Sequence, residues 1–129
     1  MTLLEECLVA LGKDVTKLSK EKTDEIFESM LQKFPMTSWG RIDWENVNHK
    51  KISSIDEIKK YIKTQEDVYI LWDEASLPAI KTELNNVLSV IDSVKAVSFD
   101  TWIYSSNWEY VIELYHENEI NIGWINAQE

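Results

Sequence analysis

Hydrophobic and polar residues alternate through the last third of the chain, and this period of two constrains the fold more than any other feature of the sequence. Val94 to Tyr104, Trp108 to His116 and Glu119 to Ile125 read as three strands. Tyr104-Ser-Ser-Asn-Trp108 is a hairpin turn, and Glu117-Asn118 is a tighter one. Strands joined by turns this short lie side by side in antiparallel order, as a meander. The apolar face of such a sheet must be covered, and the residues before it have to supply the cover.

The upstream sequence changes to helical spacing. Leu3, Leu4, Cys7, Leu8 and Leu11 form an amphipathic stripe that Gly12 stops. A second helix is expected from about Lys20 to Lys33, or from Thr23 onward, with Ile26, Phe27, Met30, Leu31 and Phe34 on its buried side and Pro35 at its end. Trp39 to Val47 reads as irregular or as a short strand. Ser54 with Glu57 forms a capping-box pattern for a helix over Ile55 to Lys63. Val68 to Trp72 is a continuous apolar run and reads as a buried strand. Ser76-Leu-Pro78 looks like the start of a long helix whose apolar face is Ile80, Leu84, Val87, Leu88 and Ile91. The expected fold is α+β, with N-terminal helices and one long central helix packed on a mainly antiparallel sheet that ends in a three-strand meander. The length of 129 residues suits one domain, and three Gly and two Pro leave no room for a flexible linker.

Alternation also separates the faces of the meander. Val97, Phe99 and Ile103, then Tyr110, Ile112 and Leu114, then Ile120, Ile122 and Trp124 form the apolar set. The other face would hold Asp100, Trp102, Tyr104, Glu109, Glu113 and Tyr115. Aromatics mixed with carboxylates suit a protein interface. The competing reading puts Trp102 and Tyr104 beneath the N-terminal helices, as core.

Net charge is −10 and one-sided. Residues 1–66 carry twelve acids against eleven bases, whereas residues 67–129 carry eleven acids against only Lys81 and Lys95. An acidic half repels phosphate backbones and anionic membranes and draws in cationic partners, which argues against direct nucleic-acid binding. Cys7 is the sole cysteine, so an internal disulfide is impossible. With no signal peptide and no apolar run of membrane length, the expected location is the cytoplasm. Gly12, Gly40 and Gly123 are isolated, so no phosphate-cradling loop is present. No metal or cofactor site is expected. His49 reads as a solvated loop residue and His116 as a surface residue at a hairpin end. Asp100 and Glu113 on neighbouring strands have the spacing of an Asp…Glu-x-Lys nuclease, but Tyr115 stands where the lysine is needed. A hydrolase using His116 with Asp100 and Glu113 is one alternative reading. A small acidic regulatory adaptor is another.

Three segments carry a family resemblance. Val68-Tyr-Ile-Leu-Trp-Asp-Glu-Ala-Ser-Leu-Pro78, Ala96-Val-Ser-Phe-Asp-Thr-Trp-Ile-Tyr104 and Tyr110-Val-Ile-Glu-Leu-Tyr-His116 resemble bacterial immunity proteins of contact-dependent growth inhibition and related polymorphic toxin systems (CdiI-like). The resemblance covers residues 66–125. It implies a protein without catalysis that binds a cognate toxin domain in the cytoplasm and blocks its active site. Many such toxins are nucleases with basic substrate faces, which an acidic inhibitor complements. The residues expected to carry binding are Asp100, Trp102, Tyr104, Glu109 and Glu113, with Asp73 and Glu74 as outlying acids and Trp108 at the hairpin tip. Trp102 is the expected anchor.

Overall fold

A computed structural model of the chain describes residues 1–125. In chain order the elements are α1 (Leu3–Leu11), β1 (Thr16–Lys17), α2 (Lys20–Lys33), β2 (Asn48–Ile52), α3 (Ile58–Tyr61), β3 (Asp67–Trp72), β4 (Ile80–Glu83), α4 (Leu84–Ser89), α5 (Ile91–Lys95), β5 (Thr101–Ser105), β6 (Tyr110–Tyr115) and β7 (Glu119–Trp124). Short 3-10 turns occur at Trp44–Asn46 and Ile55–Glu57. The strands form one seven-stranded antiparallel sheet in the order β1-β4-β3-β5-β6-β7-β2. The meander β5-β6-β7 lies within it, as the alternation requires.

Both N-terminal helices start where their side chains can satisfy free backbone N–H groups. Thr2 Oγ1 accepts from the Glu5 N–H at 3.0 Å, and the Glu5 carboxylate accepts from the Thr2 N–H at 2.8 Å, closing a capping box. Ser19 caps α2 by accepting from the Lys22 N–H at 3.2 Å. Such caps contribute about 1 kcal/mol each.

The sheet is covered on both sides. On one face α1, α3, α4 and α5 lay Cys7, Leu11, Ile58, Leu84, Val87 and Val94 over Val68, Ile70, Trp72, Ile103, Ile112 and Ile122. On the other, α2 and the segment that follows it lay Met30, Phe34 and Ile42 over Leu71, Trp102, Tyr104 and Val111. Every residue of β5 is buried, and every residue of β6 but Tyr115. Thr23, buried on α2, accepts from the Ala79 N–H at 2.9 Å and ties that helix to the loop between β3 and β4.

Three expectations change. There is no long central helix: Ser76–Ala79 is a loop, Ile80–Glu83 is strand β4, and two short helices follow, broken at Val90 (φ −129°, ψ 34°). Ile80 and Thr82 point inward while Lys81 and Glu83 point outward, a strand alternation that the helical spacing of Leu84, Val87 and Leu88 conceals. Ser54 makes no side-chain cap; Ser53 instead donates to the Glu57 carboxylate. Asn48–Ile52 is an edge strand against β7, and its exposed Lys50 and Lys51 are the charges that protect an edge. Phe99, assigned to the apolar set, precedes β5 and is 79% exposed.

Gly123 on β7 is required by close approach. A Cβ there would stand 2.6 Å from the Trp44 ring and 3.1 Å from Val47. The ring cannot yield freely, because its indole N–H is bonded to Glu113. Gly123→Ala is expected to destabilise the protein by about 1–3 kcal/mol, through overpacking. A urea midpoint equal to wild type would show that Trp44 does not pack over β7 as described.

Candidate functional site

The eight residues expected to bind a partner fall in three places. The first is the core between α2 and the sheet. Trp102 is 3% exposed, and Tyr104 and Glu113 are fully buried. Phe27 meets the Trp102 ring edge-on at 6.2 Å, and Ser29 Oγ lies 2.7 Å from the Tyr104 hydroxyl. Trp102 and Tyr104 hold α2 on the sheet, and none of the three is on an open surface. The competing core reading of Trp102 and Tyr104 therefore matches the geometry.

Glu113 organises this region. Its Oε1 accepts from Arg41 Nε at 2.9 Å, Arg41 Nη2 at 2.7 Å and Trp44 Nε1 at 3.0 Å. Its Oε2 accepts from the Ile42 N–H at 2.9 Å and Trp102 Nε1 at 3.1 Å. Arg41 Nη2 also donates to Glu119 at 2.6 Å, and the guanidinium stacks on Tyr115 at 3.9 Å. Sequence reasoning missed Arg41. Two signals pointed to it: an acid at an inward strand position needs a partner, and Arg41 is the only arginine in the chain.

The second place is the end of the sheet where β3 and β6 finish and β5 begins. Asp73, Glu74, Phe99 and His116 line an open cleft of about 690 Å³ here, with Lys95 beside them and Asp100 buried beneath His116. The acids are largely engaged with one another's backbone and neighbours. Asp73 Oδ1 accepts from Ser98 Oγ at 2.5 Å and the Asp100 N–H at 3.2 Å. Asp100 Oδ1 accepts from the His116 N–H at 2.9 Å and lies 3.0 Å from His116 Nδ1. Glu74 accepts from Ser76 Oγ at 3.1 Å. Two parts of the hydrolase reading are thus adjacent, but Glu113 points to the opposite face of β6, and the Ser98 hydroxyl serves Asp73.

The third place is the opposite end, six β6 residues away and so on the order of 20 Å off. Trp108 is 55% exposed at the tip of the β5–β6 turn. Glu109 completes that turn with φ 54°, a left-handed conformation that costs a non-glycine residue about 1 kcal/mol or more. Glu66, Asp67 and Glu83 lie at this same end, where β3 starts and β4 finishes. Asp67 and Glu83 are exposed and directly opposite in the β3–β4 register, a like-charge pair that opposes folding. Among the described residues, none of Glu66, Asp67, Glu83 and Glu109 enters an ion pair. Behind Trp108 a small pocket of about 180 Å³ is lined by Tyr61, Ile62, Lys63, Glu66, Trp108, Tyr110 and Trp124.

Among the described residues, no group of three or more histidine, cysteine or acidic side chains is placed to hold a metal ion. No described helix is long and apolar enough to cross a membrane. Compared with known families, residues 1–123 match the family model described as CdiI immunity protein EcoliA0-like. None of the curated proteins matches the chain.

The Arg41 network makes stability depend on pH. The hydrogen bond from Arg41, against the opposing effect of burial, holds the Glu119 carboxyl below its ordinary value, with help from Asn121 and Lys51. A carboxyl depressed by folding stabilises fully above its unfolded pKa and loses that contribution as pH falls through the folded value. Wild-type stability is expected to fall below about pH 4.5 more steeply than that of Glu119→Gln, which starts less stable at pH 7. Parallel curves from pH 7 to 3 would remove Glu119 from the network.

Proposed function

The chain belongs to the CdiI immunity protein family, EcoliA0-like, whose members neutralise toxins, and on that premise we propose that it shields a basic, active-site face of its cognate toxin with the acidic end of the sheet around Trp108. The observation that carries this reading is the set of four acids at that end, Glu66, Asp67, Glu83 and Glu109, which make no ion pair among the described residues. Two of them face each other across β3 and β4 at a cost to folding. Sequences tolerate such costs where binding uses the charge. The acids near Asp73 and Asp100 already satisfy local donors and contribute mainly to the long-range field.

A basic face is the natural complement, and it is what a nuclease presents to its substrate. Occlusion rather than turnover is the action this surface supports, with the protein consumed stoichiometrically. Trp108 supplies the aromatic anchor that interfaces favour, surrounded by charge that sets approach and orientation. Of the earlier partner residues, Trp108 and Glu109 stay on this surface. Trp102, Tyr104 and Glu113 lie instead in the core between α2 and the sheet.

Co-expression with its cognate toxin domain tests the reading. Wild type is expected to restore growth and form a one-to-one complex. Its association rate should fall by about tenfold or more between 0.05 and 0.5 M salt. The double variant Asp67→Asn, Glu83→Gln should associate several-fold more slowly while melting no lower than wild type, because it relieves repulsion across β3 and β4. Growth that stays inhibited beside wild type would defeat the immunity role. A salt-insensitive rate would defeat the electrostatic part alone.

A further inference from the structure

We infer that the pocket between Tyr61, Trp108, Tyr110 and Trp124 is a socket for a single arginine side chain of the toxin; this rests on the immunity reading above and adds to it the chemistry of the anchoring contact. The volume of about 180 Å³ is below the roughly 300–1,000 Å³ of sites for small molecules, and suits one side chain. Its walls are aromatic on several sides. The Tyr61 and Trp124 rings lie 6.2 Å apart and tilted, and Trp108 stands exposed at the mouth. A cation over indole and phenol faces is stabilised by the ring quadrupoles. The Tyr61 ring already takes one in this way, from Lys50 Nζ at 6.0 Å.

Polar groups narrow the choice further. The Tyr110 hydroxyl is buried and has no hydrogen-bond partner among the described residues, although β6 and β7 are otherwise well paired around it. A buried hydroxyl left this way costs free energy until a ligand completes it. Burial, and then the nearby charge of Glu66, keep this phenol protonated well above its ordinary range, so its oxygen is free to accept. Glu66 lines the same pocket and has no ion-pair partner among the described residues. A guanidinium satisfies all three demands at once: its plane stacks on indole, one N–H reaches a phenol oxygen and others reach a carboxylate. An apolar side chain would leave Tyr110 unpaired and Glu66 desolvated, and an acid would be repelled. Lys63 also lines the pocket, but it is exposed, and its long stem can carry the ammonium outward.

The test uses the full chain, isotope-labelled, and N-acetyl-arginine amide as probe, with the isosteric but neutral N-acetyl-citrulline amide beside it. Saturable shifts of the Trp108 and Trp124 indole N–H signals are expected for the arginine probe, at about tenfold lower concentration than for citrulline. Glu66→Gln should erase that difference without lowering the melting temperature, because its carboxylate makes no ion pair among the described residues. Against the toxin domain, Glu66→Gln and Trp108→Ala should each weaken binding about tenfold or more. Equal response to both probes overturns the proposal. So do indole signals that change on dilution alone, which would place a second copy of this chain in the pocket. If wild type binds the toxin and both variants bind it equally well, the socket fails and the immunity reading stands. If wild type itself does not bind the toxin, the reading beneath the proposal fails instead.

Discussion

The carboxylate of Glu113 is the interaction on which the rest of this structure depends. A charge in the middle of a buried strand is tolerable only when its partners arrive with good geometry. Here five donors do so, from Arg41, Ile42, Trp44 and Trp102. Because Arg41, Ile42 and Trp44 belong to the segment after α2, the carboxylate fixes that irregular segment, which has little regular secondary structure of its own. Trp44 then lies over Gly123, and Arg41 bridges to Glu119 on β7. One inward acid thus joins β5, β6, β7 and the chain between α2 and β2. Removing one member of a buried pair of this kind typically costs about 3–5 kcal/mol, because the other charge is left uncompensated.

Closing the second face of the sheet has a functional consequence. With α2 and Arg41 covering one side and the other helices covering the opposite side, neither broad face is open to a partner. What remains are the sheet edges and the two ends of the strands. Turns and loops are at these ends, where backbone strain, exposed aromatics and charge can be placed without disturbing the core. The two ends differ in how their acids are used. Asp73 and Asp100 terminate strands by accepting from backbone and hydroxyl groups. Among the described residues the carboxylates of Glu66, Asp67, Glu83 and Glu109 do no such work, and Asp67 with Glu83 weakens the fold it sits in. On the reading proposed above, this is the charge available for association.

Much of the local structure was legible in the sequence. The Lys20–Lys33 helix coincides with α2, and the stripe Leu3 to Leu11 with α1, since capping residues and a 3.6-residue period act within a few turns. The meander was legible too, although its strands are shorter than the alternation extends. Val94 to Ala96 belong to α5 and its end, and Phe99 stands exposed before β5 begins. The region from Ser76 to Lys95 was misread because Ile80 falls in helical phase with Leu84, Val87 and Leu88 while it in fact pairs with Ile70 on β3. Strand β2 was missed because a polar edge strand carries no periodic signal. His49 is exposed as expected, yet it sits within that strand, tilted against the Trp44 ring at 5.1 Å.

The sequence by itself determined which residues alternate, where helices begin, and that the second half carries an excess of acid, because each of these depends on residue type and short spacing. It could not determine which sheet face stays open. That depended on α2 and Arg41 crossing more than seventy residues of chain to reach Trp102 and Glu113, and no local pattern encodes a partner at that distance. Alternation marks two faces; only packing says whether the second is solvent or core. For the same reason Trp102 and Trp108, equally conspicuous in the sequence, ended in opposite roles. Trp102 lies mid-strand under a helix, where its indole N–H has a buried carboxylate to meet. Trp108 lies on a tight turn and is 55% exposed among the described residues.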